Sequence, residues 1–232
     1  MASYVIGDIH GGYQALQQVL KRAPLQRGDT LVFIGDYVDG WSQSYEVVDL
    51  LIRLKEIYDC KFLLGNHDLW MANWLRNGDK PRVWLDNGGQ AAVESYKKST
   101  RQQLAAHSEF FQKLLNYHID AKGRLFVHGG FTSEAGVFKE ENFLTFITDR
   151  SLWKAAMDHR FDKRFPQYSH IFIGHTPTIR MGAKKPVTIR NITNTDTGAA
   201  FTGKLSIVNI DTLDCWQSDP LPGLYPGEKG RN

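Results

Sequence analysis

Residues 31–36 read Leu31-Val32-Phe33-Ile34-Gly35-Asp36, four apolar side chains running into a glycine and an acid. The same pattern occurs upstream as Tyr4-Val5-Ile6-Gly7-Asp8 and downstream as Phe62-Leu63-Leu64-Gly65-Asn66. A short apolar run closed by glycine is the mark of a buried strand. Helical spacing fills the intervals, from Tyr13 to Arg22 and from Tyr45 to Tyr58, and again after the third run from Leu69 to Leu75. Val47, Val48, Leu51, Leu54 and Tyr58 recur at steps of three and four, the apolar stripe that a helix lays on a sheet. Asp8 and Asp36 stand 28 positions apart, and Asp36 and Asn66 stand 30 apart. That is close to the ~30-residue period of a strand–helix–strand unit. A parallel α/β layer follows, with a polar residue at the carboxyl end of each strand, on the rim where such sheets bind ligands.

Residues 69 to 118 read as mostly helical, with Trp70, Trp74 and Trp84 ahead of the turn at Asn87-Gly88-Gly89 and an amphipathic run from Gln102 to Tyr117. This segment is a candidate cap over the rim. From Arg124 onward strands prevail: Leu125 to His128, Ile171 to Gly174, Val187 to Thr195, Lys204 to Asp211 and Cys215 to Ser218, which predict a second sheet. Helices at Glu140 to Thr148 and Leu152 to Asp158 interrupt them. Residues 219–232, rich in Pro and Gly, read as a loosely packed tail. There is no repeat, low-complexity tract or linker, so residues 1–232 are expected to form a single domain.

At 42% hydrophobic and 23% charged residues the composition is that of an ordinary globular protein, which excludes a disordered chain. The net charge of +3 comes without a dense Lys/Arg run, so neither nucleic acid nor an anionic membrane is an expected partner. Cys60 and Cys215 have no CxxC spacing and read as buried free thiols in a reducing compartment. With no basic, apolar leader and no run of ~18 apolar residues, the expected location is cytoplasmic. Nothing in the sequence sets the oligomeric state.

Five short motifs carry the chemistry: Gly7-Asp8-Ile9-His10-Gly11, Gly35-Asp36-Tyr37-Val38-Asp39, Gly65-Asn66-His67-Asp68, His128-Gly129-Gly130 and Gly174-His175-Thr176-Pro177. Asp8 and His10 flank one residue, so in an extended segment both side chains face one side and can chelate one ion. Asp36, from the next strand, can bridge to a second ion, completed by Asn66, His128 and His175. A mixed oxygen and nitrogen set without thiolate suits Mn²⁺, Fe or Zn²⁺ better than Ca²⁺ or a structural zinc. Two such ions ~3.5–4 Å apart lower the pKa of a shared water toward ~7 and hold phosphoryl oxygens in line for its attack. His67 is placed to protonate the leaving oxygen as general acid, and Asp39 can fix its tautomer. His107, His118, His159 and His170 lack such a setting and read as structural. Gly198 to Lys204 imitates a phosphate-binding GxxxxGK loop. Leu205, however, stands where a hydroxyl is needed, and the flanks read as two strands.

Taken in order, these motifs resemble those of the calcineurin-like metallophosphoesterases, specifically the phosphoprotein phosphatase branch, whose signatures run GDxHG, GDxVDRG, GNHD/E, HGG and GHT. The resemblance covers nearly the whole chain. It implies an α/β fold in which two mixed β-sheets pack as a sandwich flanked by α-helices. It also implies two divalent ions, most readily Mn²⁺, with Asp8, His10 and Asp36 at one and Asp36, Asn66, His128 and His175 at the other, and His67 with Asp39 as the acid pair. The activity implied is that of a phosphomonoesterase acting on phosphoserine or phosphothreonine in a phosphorylated protein, or on a small phosphoester. An alternative is hydrolysis of dinucleoside polyphosphates. Asn66-His67-Asp68-Leu69 and the segment Asn194-Thr195-Asp196-Thr197-Gly198, which would bring Asp196 near the site, also resemble the bacterial diadenosine tetraphosphatase branch. Asp39, where that branch often has alanine, favours the protein-phosphatase side. RNA-end hydrolysis lacks the basic, aromatic-studded surface it would need. One departure matters. The family motif ends in Arg-Gly, its arginine gripping substrate phosphate, whereas this chain has Gly40-Trp41. Arg150, together with Asn66, is the expected phosphate contact in its place, since a guanidinium can grip two phosphate oxygens.

Overall fold

A computed structural model of the chain describes residues 1–158 and 165–231; His159 lies outside the described residues. The first half runs β1 (Ser3–Ile6), α1 (Tyr13–Arg22), β2 (Thr30–Phe33), α2 (Ser44–Leu54), β3 (Asp59–Phe62), α3 (Asn66–Asn77), the short turn α4 (Arg82–Trp84), α5 (Gln90–Ser95) and α6 (Arg101–Gln112). The second half runs β4 (Tyr117–Ile119), β5 (Arg124–Val127), α7 (Phe143–Thr148), α8 (Ser151–Met157), β6 (His170–Ile173), β7 (Val187–Ile189), β8 (Ile192–Asn194), β9 (Ser206–Asn209), β10 (Cys215–Gln217) and α9 (Leu221–Leu224).

The strands form two five-stranded mixed sheets, ordered β10-β9-β1-β2-β3 and β4-β5-β6-β8-β7. In the first, β1, β2 and β3 are parallel, pairing Val5 with Val32 and Val32 with Lys61. In the second, β5, β6 and β8 are parallel. The inner faces meet through Val5, Val32, Ile34, Leu63, Phe126, Phe172 and Val208. Phe126 and Phe172 stack there with ring centroids 5.1 Å apart. The outer face of the first sheet is covered by Leu16 and Val19 of α1, Val47, Val48 and Leu51 of α2, Met71 of α3 and Phe110 and Phe111 of α6. Phe146, Ile147, Leu152 and Trp153 of α7 and α8 cover the second. Each such side chain, fully buried, contributes about 1.5–3 kcal/mol. The result is the sandwich that the sequence resemblance implies, helix layer to sheet to sheet to helix layer.

Four expectations need correction. The strands expected at Lys204 to Asp211 and Cys215 to Ser218 do not join the second sheet; β9 pairs antiparallel with β1 and completes the first. The single strand expected from Val187 to Thr195 is a hairpin, broken where Arg190 takes a left-handed conformation (φ 55°). Residues 69–118 are less a separate cap than the outer layer of the first sheet, and they lead into an unforeseen edge strand, β4, which pairs antiparallel with β5. Residues 219–231 are not loosely packed. Leu221 and Tyr225 are buried, and Tyr225 stacks on Trp41 with centroids 5.1 Å apart. Cys60 and Cys215 are free thiols, and burial pushes Cys60 up to about 12. Among the described residues no helix is long and apolar enough to cross a membrane.

Candidate metal centre

Because β1, β2 and β3 are parallel, and β5 and β6 are parallel in the facing sheet, the loops that leave their carboxyl ends converge on one edge of the sandwich. Asp8 and His10 follow β1, Asp36 and Asp39 follow β2, Asn66 and His67 open α3 after β3, His128 follows β5 and His175 follows β6. The turns are unusually tight. His10, Asp36, Asp39 and His175 all adopt positive φ (52°, 54°, 74° and 65°), which costs of order 1 kcal/mol or more each and persists where surrounding structure imposes it. Glycine is required beside them: a Cβ on Gly65 would lie 2.2 Å from Asp36 Oδ1, and one on Gly174 would lie 2.2 Å from Asp8 Oδ1.

Asp36 is the centre of the constellation. Its Oδ2 lies 3.5 Å from His10 Nε2 and 3.4 Å from His128 Nε2, and His128 Nε2 is 3.1 Å from His175 Nδ1. His10 Nδ1 faces the Val38 carbonyl at 3.2 Å, and His128 Nδ1 faces that of Ile34 at 3.0 Å. Each can donate its Nδ1 proton to the backbone and turn an Nε2 lone pair toward Asp36, the orientation a metal ligand needs. Asp8 Oδ2 accepts the His175 amide at 3.0 Å, while its Oδ1 and Asn66 Oδ1 are buried without a hydrogen-bond partner. Buried acceptors are rarely left unpaired. Two groups of donor atoms, each within 4.8 Å of one another, come from His10, Asp36 and His67 and from Asp36, His128 and His175. Hard oxygens and outward-turned imidazole nitrogens around one shared carboxylate fit a pair of divalent ions.

The electrostatics demand the same. Burial, the Asp196 carboxylate and Asp36 push Asp8 well up. Burial and Asp36 likewise raise Asp196, to about 6. For Asp36 burial opposes ionisation, but the His128 and His67 rings outweigh it and hold the carboxyl well down. His128 shows the converse. Burial pulls it down, yet Asp36 and Asp8 keep it raised, at about 9. The pocket is thus a sink for positive charge.

His67 sits on the rim of this cluster. Its Nδ1 is 2.5 Å from Asp39 Oδ2, and its Nε2 is buried without a partner. Burial pushes His67 down, to about 3, and Asp39 up, so the pair favours a net neutral state with one shared proton. Arg150 borders the cluster beside His175, donating from Nη1 to the His175 carbonyl at 2.7 Å and to Thr176 Oγ1 at 2.8 Å. Asp196 is buried close enough for its charge to act on Asp8 and Arg150. Asp8, His10, Asp36, Asp39, Asn66, His67, His128, Arg150, His175 and Asp196 therefore lie at this one edge.

Three neighbours were not anticipated. Asp68 accepts hydrogen bonds from the backbone N–H groups of Asp36 (2.7 Å), Tyr37 (2.9 Å) and Gly65 (2.9 Å), tying the second and third motifs together. An acid at the third position of a helix opening was the available signal for it. Trp84 donates from Nε1 to Asp39 Oδ2 at 2.7 Å, a contact across 45 residues that no local pattern announces. Arg231 reaches Gly40 from the far end of the chain.

Residues 1–200 match the family model for calcineurin-like phosphoesterases. The chain is 26% identical, over 98% of its length and 97% of the relative's, to an asymmetrical bis(5'-nucleosyl)-tetraphosphatase PrpE of a Geobacillus species. A crystal structure provisionally assigned as a diadenosine tetraphosphatase superposes with a TM-score of 0.68 at 20% identity, over 93% of this chain and 91% of that one. The protein serine/threonine phosphatase of Saccharomyces cerevisiae with similarity to human phosphatase PP5 superposes with a TM-score of 0.63 at 16% identity, over 94% and 80%. At such identities the two structures speak for the fold alone. With that fold, the five motifs at one edge and a family match over residues 1–200, the chain belongs to the calcineurin-like phosphoesterases.

Proposed function

We propose that the protein is a metal-dependent hydrolase that cleaves the phosphoanhydride chain of bis(5'-nucleosyl) tetraphosphates, residues 1–232 acting as one domain. The observation that carries the chemistry is Asp36, placed between His10 and His128 with unpaired buried oxygens of Asp8 and Asn66 beside it. The near full-length likeness to a tetraphosphatase supports this substrate class over phosphoproteins. When bound, two divalent ions, with Mn²⁺ the first choice, supply an activated water and a clamp on the phosphoryl oxygens.

The chain's own residues do the rest. Asp8, His10, Asp36, Asn66, His128 and His175 would hold the ions, and glycine-cleared turns or backbone hydrogen bonds keep these residues in place. His67 keeps Nδ1 on Asp39 and offers Nε2 to the leaving oxygen. An entering phosphate raises the proton affinity of that ring, and protonating the leaving group is worth about 10²–10⁴-fold. Arg150, with one donor arm used to pin His175 and Thr176, has further N–H groups for a phosphate oxygen. Asn66 approaches the same phosphate.

A second reading, hydrolysis of phosphomonoesters in proteins, is supported by Asp39, which is buried and engaged with His67 as the sequence resemblance implies. A comparison of kcat/KM separates the two. Mn²⁺-loaded protein is assayed on diadenosine tetraphosphate, serine and threonine phosphopeptides, a phosphodiester and p-nitrophenyl phosphate. The expected result is a hundredfold or greater preference for the dinucleotide, with unequal products, one nucleoside triphosphate and one monophosphate. Phosphopeptides turning over faster would sink this assignment and promote the second.

A further inference from the structure

The last described residues do not trail into solvent. Leu221 is buried, and its amide donates to the Gly203 carbonyl at 3.0 Å. Tyr225 stacks on Trp41, and its hydroxyl accepts from the Gln14 amide at 3.0 Å and donates to Gln43 Oε1 at 2.8 Å. Glu228 then receives the Ser42 amide at 3.0 Å and the Ser42 hydroxyl at 2.7 Å. A Cβ on Gly230 would come within 2.8 Å of the Trp41 ring, so only glycine passes there. Arg231 follows, its amide donating to the Ala200 carbonyl at 2.8 Å. A chain held at this many points delivers the Arg231 side chain to a defined place.

That place is the mouth of the metal centre. Gly40 directly follows Asp39, at φ 90°, and a Cβ built on it would lie 3.2 Å from Arg231 Cγ and 3.5 Å from the His10 carbonyl oxygen. The stem of Arg231 thus occupies the space that a side chain at position 40 would take. Its guanidinium rests 5.5 Å from the centroid of Phe201 and touches Asn87 Oδ1 through Nη2 at 3.3 Å. Among the described residues no carboxylate lies within ion-pair distance of it, and its Nε is buried without a hydrogen-bond partner. A guanidinium held beside a pocket, with no anion within ion-pair distance among the described residues, is a binding group waiting for one. Its charge is felt at His10, Asp39, His67 and Asp196.

We propose that Arg231 is a substrate-binding residue, carried back by residues 221–231 to grip a phosphate of the polyphosphate chain while Arg150 approaches from the His175 side. The inference deepens the proposed function and rests on it only for the identity of the ligand. Two guanidinia whose charges both reach His67 and Asp196 suit a ligand with several phosphates better than a lone phosphomonoester.

The test compares Mn²⁺-loaded wild type with Arg231→Ala and Arg231→Lys. Orthophosphate binding is measured by calorimetry, bound metal by elemental analysis, and KM and kcat on diadenosine tetraphosphate and p-nitrophenyl phosphate. Arg231→Ala is expected to weaken orthophosphate binding tenfold or more and to raise KM for the dinucleotide more than it lowers kcat, with bound metal and thermal midpoint unchanged. Arg231→Lys is expected to recover part of the loss, and millimolar guanidinium added to Arg231→Ala to recover more. Orthophosphate binding equal to wild type in Arg231→Ala overturns the assignment, as does an absence of binding to wild type, or loss of metal together with phosphate. If phosphate binding falls as stated but no wild-type turnover of the dinucleotide is seen, the substrate reading fails and the role of Arg231 stands.

Discussion

The acid pair shows how much depends on single atoms. His67 touches Asp39 through one nitrogen and leaves the other buried and open, while the side-chain oxygen of Asn66, one residue earlier, is buried without a partner. The proposed mechanism divides proton donation and ion binding between these adjacent side chains. Replacing His67 by Asn is expected to lower kcat by about 10²–10⁴-fold while bound metal stays within a third of the wild-type content. Because His67 also lies within reach of His10 and Asp36, the alternative is that it ligates an ion itself. Metal lost in proportion to activity would establish that alternative and remove the acid role. At this scale the five motifs were legible because a handful of residue types in fixed order can hardly serve another chemistry. Asp68 and Trp84 were not, since their value lies in partners 31 to 45 positions away.

Among elements, the short turn α4 and the loop after it earn their place through Trp84. The indole is fully buried, packs near Trp74 with centroids 6.0 Å apart, and donates to the carboxylate oxygen that also faces His67. A buried hydrogen bond is worth about 0.5–1.5 kcal/mol net. Trp84→Phe keeps the ring and removes the donor. The expected outcome is a kcat lowered about 10-fold or more, with KM and metal content close to wild type; steady-state kinetics that match wild type would show that Asp39 needs no such anchor. The strands β1, β2 and β3 could be read directly, because an apolar run and its terminal glycine are local properties. Which sheet β9 and β10 would join could not, because pairing with β1 is decided by the packing of the whole inner face rather than by their own composition. The Pro and Gly content of residues 219–232 likewise suggested slackness. Three anchors, Leu221, Tyr225 and Glu228, reverse that conclusion.

For the molecule as a whole, the site is a joint between two sheets. Asp8, His10, Asp36 and Asn66 are borne by the first, His128 and His175 by the second. Bound ions would therefore tie the two layers together and neutralise the carboxylates of Asp8, Asp36 and Asp196, of which Asp36 raises the proton affinity of the other two. Ligands that bind only the folded state stabilise it by mass action, about 2.7 kcal/mol at a hundredfold excess over Kd. Chelation is expected to lower the melting temperature by several degrees and to abolish turnover, with both restored by Mn²⁺. Calorimetric scans that coincide with and without chelator would show that the sheets hold together without the ions.

The left-handed backbone at His10, Asp36, Asp39 and His175 has its own consequence. These four positions are among the least comfortable in the chain, with Arg190 and Leu213 elsewhere, so a search that selects only for heat resistance will drift toward glycine there. Such hardened proteins would keep the sandwich and lose the catalyst, and a screen for durable variants of this hydrolase has to score chemistry alongside survival.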